Sequence, residues 1–131
     1  MSDPISMVLH LMPADEWRQL PDGEPVTSPS LATEGFVHCT GTPEVLLQVA
    51  NAFYASSPGD YVVLHVDVTK LTSDCVWEEP APVHGHVGPA FAPSFPHVYG
   101  PIDRDAVLAV QTVVRDGTGR FTGYGELGPS I

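Results

Sequence analysis

The residues Glu34-Gly35-Phe36-Val37-His38-Cys39-Thr40 run directly into Gly41-Thr42-Pro43-Glu44, and no other stretch of the chain restricts its fold as tightly. Thr42 is suited to cap a helix, Pro43 to occupy its first position, and Glu44 to face the positive end of its dipole. Val45, Leu46, Val49, Ala50 and Phe53 then fall on one helical face, which predicts a helix ending near Ser56 with that stripe on a core. The seven residues from Glu34 to Thr40 read as a strand. Alternation places Phe36, His38 and Thr40 on one face and Val37 and Cys39 on the other. One histidine is thus aimed from a strand that hands over to a helix start.

The flanking sequence extends this unit. A strand from Met7 to Leu11 ends at Pro13, which suits the first turn of a helix through Leu20, with Asp15 and Glu16 at its positive end and Trp17 and Leu20 as its buried edge. Pro21 to Ser30 reads as a loop. Pro58-Gly59-Asp60 turns the chain into a core strand from Tyr61 to Val68. There Val62, Leu64, Val66 and Val68 share one face, and His65 lies on the other, outward or against a second layer. Val76 to Glu79 is a short strand, and Pro80 to Pro93 a loop carrying His84 and His86. Ala106 to Val114 is a strand with Ala106, Leu108, Val110 and Val114 on one face. Asp116-Gly117 turns it into a weaker strand around Arg120 to Tyr124, and residues from about 125 to 131 read as a tail. Two main helices precede strands that leave no room for crossover helices. The expected class is α+β, a single domain over all 131 residues.

Charge narrows the function. Acidic residues outnumber basic ones 16 to 5, for a formal net charge of −11, and Arg18, Lys70, Arg104, Arg115 and Arg120 are scattered. Phosphate backbones need clustered cations, so nucleic acid is not expected as a partner, and anionic membranes are disfavoured for the same reason. No apolar run approaches the roughly 20 residues that span a bilayer, and no secretory leader is evident, so a cytoplasmic location is expected. Cys39 and Cys75 are expected to be reduced thiols. Neither a glycine-rich dinucleotide loop nor a P-loop is present.

Two more histidines sit on short strand-like runs. His10 is central to Val8-Leu9-His10-Leu11, and His97 stands two residues before Tyr99 in Phe95-Pro96-His97-Val98-Tyr99-Gly100-Pro101. Each alone reads as a hydrogen-bonded core histidine. Convergence of His10, His38 and His97 in one place would instead make a site, while scattering over the sheet would make them structural.

Leu9-His10, the Glu34 to Thr40 motif, Trp77-Glu78 and Phe95 to Ile102 together resemble the small bacterial family known as domain of unknown function 952, over nearly the whole chain. That family is similar to the ADP-ribosyltransferase-like superfamily, which binds NAD in the cleft of a split, mixed or antiparallel β-sheet without a Rossmann fingerprint. His10 and His38 match the first two signature histidines of the RNA 2′-phosphotransferase branch. The resemblance implies that His10 bonds a ribose hydroxyl of NAD and that His38 with Thr40 positions the nicotinamide ribose, with Glu34, His97 and Tyr99 lining the same cleft. Chemistry at the anomeric carbon calls for a nearby carboxylate or phenol, because the transition state is oxocarbenium-like. Glu78 is the first candidate, Tyr99 the second. A pyrophosphate would look to Arg104, Arg18 or the helix start at Thr42.

Plainer readings stand beside these. Glu78 also reads as an exposed strand-edge carboxylate, Tyr99 as a half-buried phenol, Glu34 as support for its loop, and Cys39 as a small buried hydrophobe. A non-catalytic module binding a small molecule or partner would use the same cleft. His84 and His86 with His97 or His38 would give three zinc ligands, but a spacing of two in a Pro/Gly-rich loop is weakly specific, and no metal is expected.

Overall fold

Residues 7–79 and 92–129 are described in the computed structural model of the chain. The elements are β1 (Met7–Pro13), α1 (Ala14–Gln19), α2 (Pro29–Glu34), β2 (Val37–His38), α3 (Pro43–Phe53), β3 (Tyr61–Asp67), β4 (Cys75–Glu78), β5 (Phe95–Val98), β6 (Val107–Arg115) and β7 (Phe121–Pro129). Two antiparallel sheets result, one in the order β1-β3-β6-β7 and a smaller one in the order β2-β5-β4. Among the described residues they are tied by a single bridge, in which Leu9 and Thr40 exchange both backbone hydrogen bonds at 2.8 Å. The class is α+β with antiparallel sheets, as expected. Among the described residues, no helix is long and apolar enough to cross a membrane.

Both faces of β3 are buried, which explains its nearly unbroken run of apolar residues. Val62, Leu64 and Val66 join Val8 and Met12 of β1 in a core that also takes in Val37, Cys39 and Val98 of the small sheet. Tyr61 and Val63 join Leu9, Val113 and Phe121 in a second core closed by Leu46 and Ala50 of α3. Thr42 caps α3 by accepting from the Val45 N–H, with Pro43 at its first position. His65, on the α3 side, is half-buried and within 3.0 Å of Gln111 Oε1.

Four expectations are corrected. Residues 29–34, of which Pro29 and Ser30 are expected as loop and Glu34 as the start of a strand, form the short helix α2, which ends because Gly35 adopts a left-handed φ of 90°. The strand expected from Glu34 to Thr40 therefore shrinks to Val37–His38, with Thr40 in the inter-sheet bridge. In β6, Val66 pairs with Val107 and His65 with Ala109, so Leu108 is bulged out of the ladder and exposed, and Val114 is also exposed. Finally, β7 runs on to Pro129, through residues expected as tail, because they pair with Ala109 to Gln111.

Candidate functional site

In β2 and β5 of the small sheet the core-facing residues are aliphatic, and the opposite face carries the histidines and Glu78 beside the exposed Val76 of β4. Val37, Cys39 and Val98 go to the core, and alternation sends His38 and His97 to the opposite face. These histidines are directly opposed across β2 and β5, their ring centroids 5.5 Å apart and nearly perpendicular. The backbone hydrogen bond from Cys39 N to Pro96 O marks the next pair as the bonded one, so His38–His97 is a close, non-hydrogen-bonded pair. Phe36 stacks on His97 at 4.1 Å and 22°, and also meets the rings of His38 and Tyr99. Its own carbonyl is held by the Ser30 hydroxyl of α2 at 2.7 Å. Phe36 was placed on the His38 face by alternation but not singled out as a site residue; its two-residue spacing from His38 was the available signal.

Glu78 is brought to this cluster by strand register. β4 pairs antiparallel with β5 so that Glu78 stands opposite Phe95 and Val76 opposite His97. From there one carboxylate oxygen of Glu78, Oε1, accepts from His97 Nδ1 at 2.7 Å and from the Tyr99 hydroxyl at 2.5 Å. Those bonds, Tyr99 first and then His97, hold the Glu78 carboxyl below the usual carboxylate range. The bond to Glu78 raises the Tyr99 phenol and keeps it protonated. Beside them, His38 Nε2 lies 3.3 Å from Glu34 Oε2 at the end of α2. Trp77, also on β4, covers Gly41 so closely that a Cβ there would fall 2.7 Å from its ring.

His10 approaches from the other sheet and does something different. After the Leu9–Thr40 pair, a continuing ladder would match Leu11 with His38, whose backbone groups point away from β5. No such pair forms. Instead His10 Nδ1 donates to the His38 carbonyl at 2.9 Å, so the imidazole stands in for the missing strand bond where the two sheets part. Because a carbonyl only accepts, the proton is on Nδ1 and Nε2 carries the lone pair. Burial pushes the pKa of His10 down and keeps the ring neutral.

Two polar atoms stand out. His10 Nε2 and His97 Nε2 are buried and have no hydrogen-bond partner among the described residues. Their residues are only 4% and 2% exposed. Buried polar atoms are nearly always paired, so each is a place where a hydrogen-bond donor is wanted.

The expected site residues divide accordingly. His38, His97, Tyr99, Glu78 and Glu34 form one connected cluster, and His10 and Thr40 sit at the adjoining seam, joined to it through the backbone of β2. Arg104 makes none of these contacts. Its guanidinium stacks on Trp17 at 4.3 Å and donates to the carbonyls of Pro21 and Glu24. Arg18 pairs with Asp15. Cys39 is buried and free, its thiol pushed well above the usual range by burial, which fits a core hydrophobe. His84 and His86 lie outside the described residues, and with them the zinc reading.

A family model described as "Protein of unknown function (DUF952)" matches residues 11–110. The chain belongs to this family. The match begins just after His10, so Leu9-His10 lies beyond it, and it covers less than the nearly whole-chain resemblance expected from the motifs. Among solved structures, the X-ray crystal structure of protein CC0527 from Caulobacter crescentus is similar, with 22% identity, a TM-score of 0.64, and coverage of 88% of this chain and 93% of that one. A double mutant of the same protein aligns equally well at 21% identity. That likeness carries the fold alone. No curated protein matches the sequence, and none of these matches names an ADP-ribosyltransferase.

Proposed function

We propose that the seam around His10, His38, Thr40 and His97 binds the nicotinamide-ribose end of NAD, or of a related ADP-ribose compound, and transfers or hydrolyses the ADP-ribose unit. The observation that carries this reading is the pair of buried imidazole nitrogens without partners. Neutral His10 presents a lone pair, which suits a ribose hydroxyl better than an anion. Tyr99, exposed beside the stacked pair of Phe36 and His97, supplies an aromatic face for a flat ring. Glu78, held as an anion, supplies the negative charge that favours both a pyridinium ring and an oxocarbenium-like centre.

The phosphates of such a ligand would meet the start of α3 at Thr42 and Pro43, directly after Thr40, rather than Arg104. A ligand held in this way binds through its ribose and ring more than through its charge. The test is a thermal melt with NAD, NADP and ADP-ribose, combined with an assay of nicotinamide release. A raised midpoint with release supports the reading. No shift with any of the three and no release contradicts it. A shift without release points instead to a non-catalytic binding module, an alternative favoured by the prior commitment of Glu78 Oε1 to two donors.

A further inference from the structure

Six groups in this site are possible proton acceptors; His38 Nε2 and Glu34 Oε2 already face each other at 3.3 Å, and the surroundings of the other four separate them. Glu78 Oε1 already receives two hydrogen bonds, and those bonds lower its affinity for a proton. Tyr99 donates to that same carboxylate, which opposes formation of a phenolate. His10 has a free Nε2, but its Nδ1–H is spent on a neutral carbonyl and its ring is buried, so a positive charge there has no counter-ion in contact among the described residues. His97 alone combines an unpartnered Nε2 with a carboxylate on its other nitrogen.

We propose that His97 Nε2 takes the proton from the attacking hydroxyl, and that Glu78 is a positioning residue that works through His97. The proposal rests on the NAD reading above. The carboxylate fixes the ring as the Nδ1–H tautomer, leaving the lone pair on Nε2, and it faces the imidazolium that forms. The same division of labour orients the histidine of a hydrolase triad. In the step, an oxygen of water or of an acceptor hydroxyl bonds to the anomeric carbon of the nicotinamide ribose. The carbon–nitrogen bond to nicotinamide breaks, and its electron pair goes to the ring nitrogen, neutralising the pyridinium charge. The hydroxyl proton passes to His97 Nε2 and from there to solvent. No oxidant or reductant is needed.

The ring of His97 is sealed by Phe36 on one face and anchored at its edge by Glu78. Tyr99 in turn steadies the carboxylate from the solvent side. This arrangement holds the lone pair in a fixed direction, as a general base requires. It also gives Glu78 a role that leaves it out of contact with the reacting atoms.

Two measurements test the proposal and separate it from the NAD reading. The first is the tautomeric state of His97 by ring-nitrogen NMR on the ¹⁵N-labelled wild-type chain at pH 7.5. An Nδ1–H form with bare Nε2, replaced by the Nε2–H form in Glu78→Gln, is expected. An Nε2–H form in the wild type, or a tautomer unmoved by Glu78→Gln, overturns the proposal whatever NAD does. The second is nicotinamide release from NAD by His97→Asn, which keeps a donor toward Glu78 but removes Nε2. A loss in kcat on the order of 100- to 10,000-fold is expected, read at saturating NAD so that weaker binding by the variant does not enter the rate. Release at the wild-type rate overturns the proposal. Glu78→Gln should lose less in kcat than His97→Asn with KM little changed, and a KM effect as large as the kcat effect would place Glu78 on the substrate itself. Absence of both binding and release in the wild type overturns the NAD reading and this step together, while the tautomer result still decides whether His97 is built as a base.

Discussion

The two sheets of this protein are built for different ends. The larger one has strands of seven to nine residues, and its central β3 buries valine, leucine and tyrosine on both faces. The smaller one has strands of two to four residues and spends its outer face on His38, His97 and Glu78, with Phe36 and Tyr99 at the strand ends. The first gathers the apolar contacts that stabilise the fold, and the second carries ionisable and aromatic groups at its expense. His10 belongs to both: it is a residue of the large sheet whose side chain completes the backbone of the small one.

If that contrast is right, substitutions in the large sheet should cost stability and those on the outer face of the small sheet should cost function. The largest effect is expected from Phe121→Ala, which empties a fully buried site beneath α3. Urea denaturation should show a loss of about 3–5 kcal/mol. Arg115→Ala comes next. Its guanidinium donates to the carbonyls of Gly59, Ala55 and Gly119 and stacks on Phe121, tying the β6–β7 hairpin to the turn after α3. Its removal should cost about 1.5–3 kcal/mol in the same assay, since charge-assisted hydrogen bonds are lost.

A smaller, pH-dependent effect belongs to His10. Its folded pKa is depressed, so the unfolded chain binds the extra proton first as pH falls. The contribution is fully present above the ordinary imidazole value of about 6.5 and is lost below it, with a slope of at most about 1.4 kcal/mol per pH unit. His10→Asn, which keeps a donor for the His38 carbonyl but does not titrate, should flatten the stability profile between about pH 6.5 and 5. An unchanged slope would show that the wedge histidine is not the titrating group.

The smallest stability effect is expected for Glu78→Gln. This half-exposed carboxylate has a depressed pKa, so what it adds is present above the usual carboxylate range and disappears as pH falls through its lower folded value. The variant should melt close to the wild type at neutral pH and differ only in the acid limb. A loss at neutral pH larger than that of Arg115→Ala would erase the distinction between the two sheets.

Much of this division was legible in the sequence. The cap and apolar stripe of α3, the apolar Val62, Leu64 and Val66 face of β3, and the opposite facing of His38 and Cys39 all follow from short-range pattern. Residues 29–34 escaped because α2 buries no residue fully and its cap makes no side-chain hydrogen bond, so no stripe or cap bond marks it. Leu108 was misplaced because a bulge changes the phase of alternation and leaves no mark in an apolar run. At the site, alternation sufficed to align Phe36 with His38. The meeting of Glu78 with His97 depends on the register of β4 against β5, across residues 79–94, and the role of His10 depends on two strands parting after one pair. Those are tertiary facts, beyond the reach of local periodicity. Arg104 shows the converse: a lone arginine suggested a phosphate partner, but an aromatic face and two carbonyls had already claimed it.

The central claim is that the two unpartnered histidine nitrogens mark a site for a ribose-bearing ligand, and a thermal melt with NAD on the wild type and on His10→Asn tests it most directly. The account predicts a midpoint that rises with NAD, the stabilisation reaching about 2.7 kcal/mol at a free concentration 100-fold above Kd, and a much smaller rise in the variant. A wild-type midpoint unmoved by NAD, or an equal rise in the variant, would contradict it.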